Sequence, residues 1–198
     1  MRRLITVIVI AFCLGAVLGL GFLIANQPAG PRTETSGTAL IGGPFTLTNQ
    51  NGERVTEKDF QGKHMLVFFG FTHCPDICPA ELQVIAEAMD QLGGKADEVT
   101  PVFVSVDPGR DTPEALKSYL SNFGDDFVGL TGSDEEIAAV AKEYRVAYQV
   151  HKENPGDENY NVDHSAIVYL MGPDGQYVDH FSYGTGADEM AESLKRYL

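Results

Sequence analysis

Basic residues and cysteine are both scarce in this chain: 14 Lys and Arg stand against 28 Asp and Glu, and only three of the 198 residues are cysteine. The shortage of basic residues gives a formal net charge of −14 at pH 7. Such a surface repels phosphate backbones and anionic lipids, so nucleic acid is excluded as a partner, while cationic proteins and metal ions are attracted. The shortage of cysteine leaves a single close pair, Cys74 and Cys78, with no second pair to complete a structural zinc set. Internal repeats are absent as well, which excludes a solenoid or propeller. Hydrophobic residues at 43% and charged residues at 21% fit neither a disordered chain nor a polytopic membrane protein. The length suits one domain and is short for two independent cores.

One long apolar run is present. Leu4 to Ile24 carries no charge, and 21 residues at ~1.5 Å each cover about 30 Å of hydrocarbon. Arg2 and Arg3 precede it and no Lys or Arg follows until Arg32, so the positive-inside rule puts the N-terminus in the cytoplasm. We therefore expect residues 1–25 to be a transmembrane anchor. A cleavable signal peptide is the competing reading, although its apolar core usually runs only ~7–15 residues. Cys13 lies within this run and reads as a packing or lipid-facing residue. Residues 26–40, rich in Pro, Gly, Ser and Thr, read as a flexible linker. Residues 41–198 are the expected soluble domain.

Within that domain, Phe45–Thr48 and Asn51–Val55 alternate around an Asn-Gly pair and predict a hairpin. Met65–Phe71 is a nearly continuous apolar run, as a strand buried on both faces requires. A helix is expected from Pro79 to Leu92, a buried strand at Val99–Val106 and a helix from Thr112-Pro113. A short strand at Phe127–Leu130 and a capped helix from Ser133 to Tyr144 follow. Val146–Val150 reads as a strand, residues 152–163 as a long polar loop, Ser165–Met171 and Gln176–Phe181 as a hairpin, and Ala187–Leu198 as a closing helix. The order is α/β, and strand, cysteine turn, helix and late hairpin together resemble a thioredoxin-like fold preceded by one transmembrane helix.

Cys74 and Cys78 are four residues apart where a helix starts, so in a helix-like turn both sulfurs face one spot. The positive end of the helix is expected to favour thiolate over thiol. Two thiolates select soft or borderline ions such as Cu(I) and Zn, and an imidazole as third ligand suits copper. Among five histidines, His164 has the best context, between the polar loop and the strand that follows it. His73 adjoins the cysteines, but neighbours in a turn often point apart; His64, His151 and His180 read as surface or strand residues. A disulfide remains an alternative, though a bridge across four residues is a poor staple. So does a redox pair that exchanges thiols with a substrate. Nothing in the sequence marks a separate peroxide pocket.

Three ordered motifs, Gly70-Phe71-Thr72-His73-Cys74-Pro75-Asp76-Ile77-Cys78-Pro79, Ser105-Val106-Asp107-Pro108-Gly109-Arg110-Asp111-Thr112-Pro113 and Val162-Asp163-His164-Ser165, closely resemble the Sco/SenC/PrrC family of copper proteins. The resemblance covers roughly residues 41 to 198, and the anchor and linker match the family's arrangement. It implies a thioredoxin-like domain that holds one copper ion, Cu(I) or Cu(II), through Cys74, Cys78 and His164. It also implies a role in maturing the binuclear copper site of cytochrome c oxidase subunit II, by delivering copper, by reducing that subunit's cysteines, or both. Cys74 and Cys78 would then be the redox pair, and another copper chaperone is a possible donor. On this resemblance the protein is a metallochaperone rather than a turnover enzyme, with thiol-disulfide oxidoreductase or redox sensor as the alternative. The implied location is the bacterial inner membrane, single-pass, with the C-terminal domain in the periplasm, in preference to the mitochondrial inner membrane. Asp107 is expected either to steer near the site or to cap a turn.

Overall fold

The structure is a computed structural model that describes residues 40–198 apart from Pro155 and Glu158. The expected anchor, most of the linker and Cys13 lie outside the described residues. Among the described residues no helix is long and apolar enough to cross a membrane.

The centre of the domain is β3 (His64–Gly70), all seven of whose residues are buried. A strand can be buried throughout only if both its faces are covered, and this one lies inside a seven-stranded sheet. β3 pairs in parallel with β4 (Val99–Ser105), which pairs in parallel with β5 (Val128–Thr131). On its other side β3 is antiparallel to β8 (Ile167–Met171), which turns into β9 (Tyr177–Ser182). The N-terminal hairpin, β1 (Thr46–Asn49) and β2 (Arg54–Thr56), joins the far edge through an antiparallel pairing of β1 with β5. Its turn is stapled by the Asn49 side chain, which accepts from the amides of Asn51 and Glu53, and Gly52 supplies the positive φ of 80°.

Helices cover both faces. Phe68 and Gly70 share one face of β3, and Cys78 of α1 (Ile77–Leu92) lies over Gly70. Phe69 points the other way and meets Tyr144, at the end of α3 (Asp134–Glu143), with ring centroids 5.3 Å apart. α2 (Pro113–Leu120) packs on β5, and α4 (Ala187–Leu194) packs on α1. The buried stripe of α1, Cys78, Leu82, Ile85, Met89 and Leu92, follows the helical period. Burying each large apolar member of it contributes roughly 1.5–3 kcal/mol. Thr112 caps α2 and Ser133 with Glu136 forms the expected capping box of α3.

The structure departs from expectation in two places that matter for the site. α1 begins at Ile77, so Pro79 is its third residue rather than its first; its missing N–H is still one of the four that a helix start leaves without an intrahelical partner. The polar segment before His164 is not loop throughout. Asn161–His164 forms strand β7, antiparallel to β6 (Tyr148–His151), and the two make a separate two-stranded ribbon. Only Val162 of β7 is buried, so the alternation that marks a strand is carried by one residue.

Candidate metal centre

β3 and β4 run in parallel and end side by side, and the site is built on those ends. After Gly70 the chain turns, with the Cys74 amide donating to the Phe71 carbonyl (3.2 Å), and enters α1. Asp76 occupies the N-cap position without a side-chain capping bond. The Cys74 sulfur does part of that work instead, accepting from the Cys78 amide at 3.4 Å. This contact folds the two cysteines toward each other, as the four-residue spacing predicts. Both thiols are free.

His164 arrives from the opposite side on β7, its Nε2 3.3 Å from the Cys78 Sγ. Its Nδ1 lies 3.2 Å from the Ser165 carbonyl. A carbonyl can only accept, so Nδ1 carries the proton and Nε2 presents its lone pair to the sulfurs. Phe68 and Phe71 both meet the imidazole edge to face, with centroids 6.1 and 5.9 Å from it. One donor atom from each of Cys74, Cys78 and His164 lies within 4.8 Å of the others. An open cleft of about 460 Å³ exposes Cys74 and His164 beside Ile77.

At Cys78 burial works against the thiolate expected at a helix terminus. Its side chain is fully buried, and burial pushes the thiol well above its usual range, against a smaller lowering by a backbone contact with Phe71. Cys74 and Asp111 push it up further. The metal-free pair therefore includes a protonated thiol, and a cation must displace that proton. Burial also lowers the pKa of His164, keeping its imidazole neutral and fit to coordinate. Two sulfurs and one imidazole form a soft donor set suited to copper, with cleft access for a ligand or a second protein.

The other histidines stay out of this group. His73 is exposed and turns to the Thr72 hydroxyl (3.0 Å) and toward Asp111 (3.8 Å). His64 opens β3, His151 pairs with Asp163 at 2.8 Å, and His180 lies 2.8 Å from the Tyr177 hydroxyl. Asp107 is a turn residue: its carbonyl accepts from the amides of Arg110 and Asp111, while its carboxylate meets Arg110 and Tyr160.

Two buried carboxyls were not singled out from the sequence. Asp111 is fully buried and accepts from the Thr72 amide (3.0 Å), the Thr72 hydroxyl (2.6 Å) and the Ser105 hydroxyl (2.6 Å), tying the cysteine turn to β4. Its place in the Ser105–Pro113 motif was the available signal. Glu81 lies on the buried stripe of α1 with one carboxyl oxygen unpartnered, and burial raises its pKa to about 7.

The fold is that of a thioredoxin-like domain, and its Cys2His donor set is a candidate metal centre. The family model described as SCO1/SenC matches residues 33–198, and the chain belongs to that family. It is 40% identical over 196 residues to human "Protein SCO1 homolog, mitochondrial", covering 96% of this chain and 65% of that protein. The chain thus spans under two thirds of that relative's length. The solved structure of Bradyrhizobium japonicum ScoI with copper bound is 48% identical, with a TM-score of 0.73, over 80% of this chain and 99% of that one. BsSco, described as having a disulfide switch and as a member of the Sco family of cytochrome c oxidase assembly proteins, is 28% identical with a TM-score of 0.62, over 80% of this chain and 93% of its own.

Proposed function

We propose that this domain carries one copper ion on Cys74, Cys78 and His164 and serves the assembly of cytochrome c oxidase, delivering copper to the binuclear site of subunit II. The convergence of two sulfurs and an imidazole nitrogen within 4.8 Å on a cleft wall carries this reading. The copper-bound relative supports it. The uncharged run Leu4–Ile24 behind Arg2 and Arg3 fits a domain held at the inner membrane on its periplasmic face. The acidic charge of the chain favours a cationic docking patch on the partner.

The test is His164→Ala. The variant should bind Cu(II) more than about tenfold more weakly and lose the wild-type thiolate-to-copper absorption. An unchanged spectrum would sink the three-donor site. Transfer is then checked by mixing the Cu(I)-loaded protein with an apo subunit II copper domain and following where the copper resides.

A second activity is favoured by one observation: Cys74 is partly exposed beside the cleft while Cys78 is buried behind it. That is the arrangement for thiol exchange. The Cys74 thiolate attacks one sulfur of a partner disulfide and releases the other as a thiol. Cys78, giving up its proton, then attacks Cys74 and releases the second partner thiol, leaving a Cys74–Cys78 disulfide and a partner reduced by two electrons. This reaction needs both cysteines and survives His164→Ala, which separates it from copper delivery.

A further inference from the structure

The cysteines stand on the turn and helix that follow β3, His164 on the separate ribbon, and the residues that join the two halves belong to neither. His164 ends β7, and Tyr160 immediately precedes that strand. The Tyr160 hydroxyl donates to Asp107 Oδ1 (2.5 Å), and its carbonyl accepts from Arg110 Nη1 (3.1 Å). The Arg110 guanidinium stacks on the Tyr160 ring at 3.6 Å, and its Nε donates to Asp107 Oδ2 (2.5 Å). Asp107, Arg110 and Tyr160 thus close a ring of contacts. Arg110 also stands 5.8 Å from the centroid of Phe71, the ring that meets His164 edge to face. One residue along, Asp111 grips Thr72 at the base of the cysteine turn.

We infer that Arg110 and Tyr160 are positioning residues for the metal centre: the loop Ser105–Thr112 holds the cysteine turn through Asp111 and the histidine strand through Asp107 and Arg110, and so sets the separation of His164 from the two sulfurs. The chemistry favours a rigid bracket. Asp107 is 2% exposed and the Arg110 side chain 12%, so the ion pair is shielded from water and its planar fork is held in one geometry. Among the described residues the ribbon has no strand pairing to the main sheet, so the bracket supplies a registry that the sheet's backbone hydrogen bonds do not. The inference rests on the copper reading above and assigns a further role within it. Cu(II) should feel the bracket most, because it needs the imidazole in place. Cu(I) can be held by the two sulfurs alone.

The experiment compares Tyr160→Phe, which removes one oxygen and keeps the ring, with Arg110→Lys, which keeps the charge and loses the fork. Both are made in the full-length chain beside His164→Ala. We expect Cu(II) affinity to fall about tenfold or more in each, with a shifted thiolate-to-copper absorption, and Cu(I) affinity to stay within about threefold. In the metal-free protein the His164 ring resonances should broaden or double. Unchanged Cu(II) affinity and spectrum in folded variants overturn the inference. So does an equal fall in both affinities that tracks the unfolding midpoint, since that is the signature of general destabilisation. If Arg110→Lys does not fold, Tyr160→Phe carries the test alone. An unchanged His164→Ala spectrum instead overturns the copper reading itself, so the two failures are distinguishable.

Discussion

The Sγ of Cys78 and the Nε2 of His164 lie 3.3 Å apart although 86 positions separate them in the chain. The sulfur belongs to the first turn of a buried helix and the nitrogen to a strand of the outlying ribbon. A metal bound between them joins two parts of the fold that share no strand pairing.

Metal loading should release protons. At neutral pH the buried Cys78 thiol keeps its proton until a cation displaces it, whereas His164, its pKa lowered by burial, is already neutral. As pH falls, proton competition therefore begins at the sulfur, and the imidazole joins only once pH drops through its lowered pKa. Calorimetric titration with Cu(I) at pH 7, in two buffers of different ionisation enthalpy, should show about one proton or more released per ion. Zero release would remove Cys78 from the ligand set.

Glu81 should make the domain less stable as pH rises. Its carboxyl titrates near its ordinary value of 4.5 in the unfolded chain and at about 7 in the folded one. The native state thus holds the extra proton between those values. Its contribution is fully present below 4.5 and lost as pH passes 7. Glu81→Gln should abolish this slope and be more stable than wild type at pH 8.5 by about 1–3 kcal/mol. Urea unfolding at pH 5 and 8.5 decides it; a slope unchanged in the variant rejects the assignment.

Gly70 is required by its neighbours. A Cβ there would stand 2.8 Å from the Cys78 sulfur and 2.8 Å from Cε2 of Phe103, both fully buried side chains. Gly70→Ala should cost about 1–3 kcal/mol through overpacking and should displace the sulfur from its partners. Thermal unfolding and the Cu(II) absorption should both change. A wild-type midpoint would show that the helix can slide.

Removing the charge of Asp111 tests the hold on the cysteine turn. Three donors converge on its two oxygens, and Asp111→Asn turns one of them into an NH2 group that faces a donor. A loss of about 1–3 kcal/mol in unfolding free energy is expected. Amide exchange at Thr72 should accelerate together with it, and unchanged Thr72 exchange would place the loss elsewhere.

Much of this was legible in the sequence because the signals were local. The nearly continuous apolar run of β3, the Asn-Gly hairpin, the cap at Thr112 and the Ser133 capping box each announce themselves within a few residues. Cys74, Cys78 and His164 were readable as a donor set because their residue types and contexts agree. Features that depend on distant partners were not readable. β7 shows only Val162 as a buried position, so its pairing with β6 leaves almost no pattern. A Glu on a helix is normally exposed, and the burial of Glu81 follows from where α1 lies on the sheet. The same burial decides Cys78: its place in the first helical turn argued for a thiolate, but burial raises the thiol more than the backbone contact with Phe71 lowers it. Tyr160 was one aromatic residue in a polar segment, and its meaning depended on Arg110, 50 residues earlier.

The two-stranded ribbon is joined to the seven-stranded sheet without strand pairing among the described residues. Swinging β6 and β7 away from the cysteine turn breaks no hydrogen bond of the seven-stranded sheet, so the imidazole can retire while the sulfurs stay fixed to the core. The domain is in effect a forceps with one immobile jaw. Any opening would be resisted by side-chain contacts, the ring of Asp107, Arg110 and Tyr160 among them, rather than by hydrogen bonds of the main sheet.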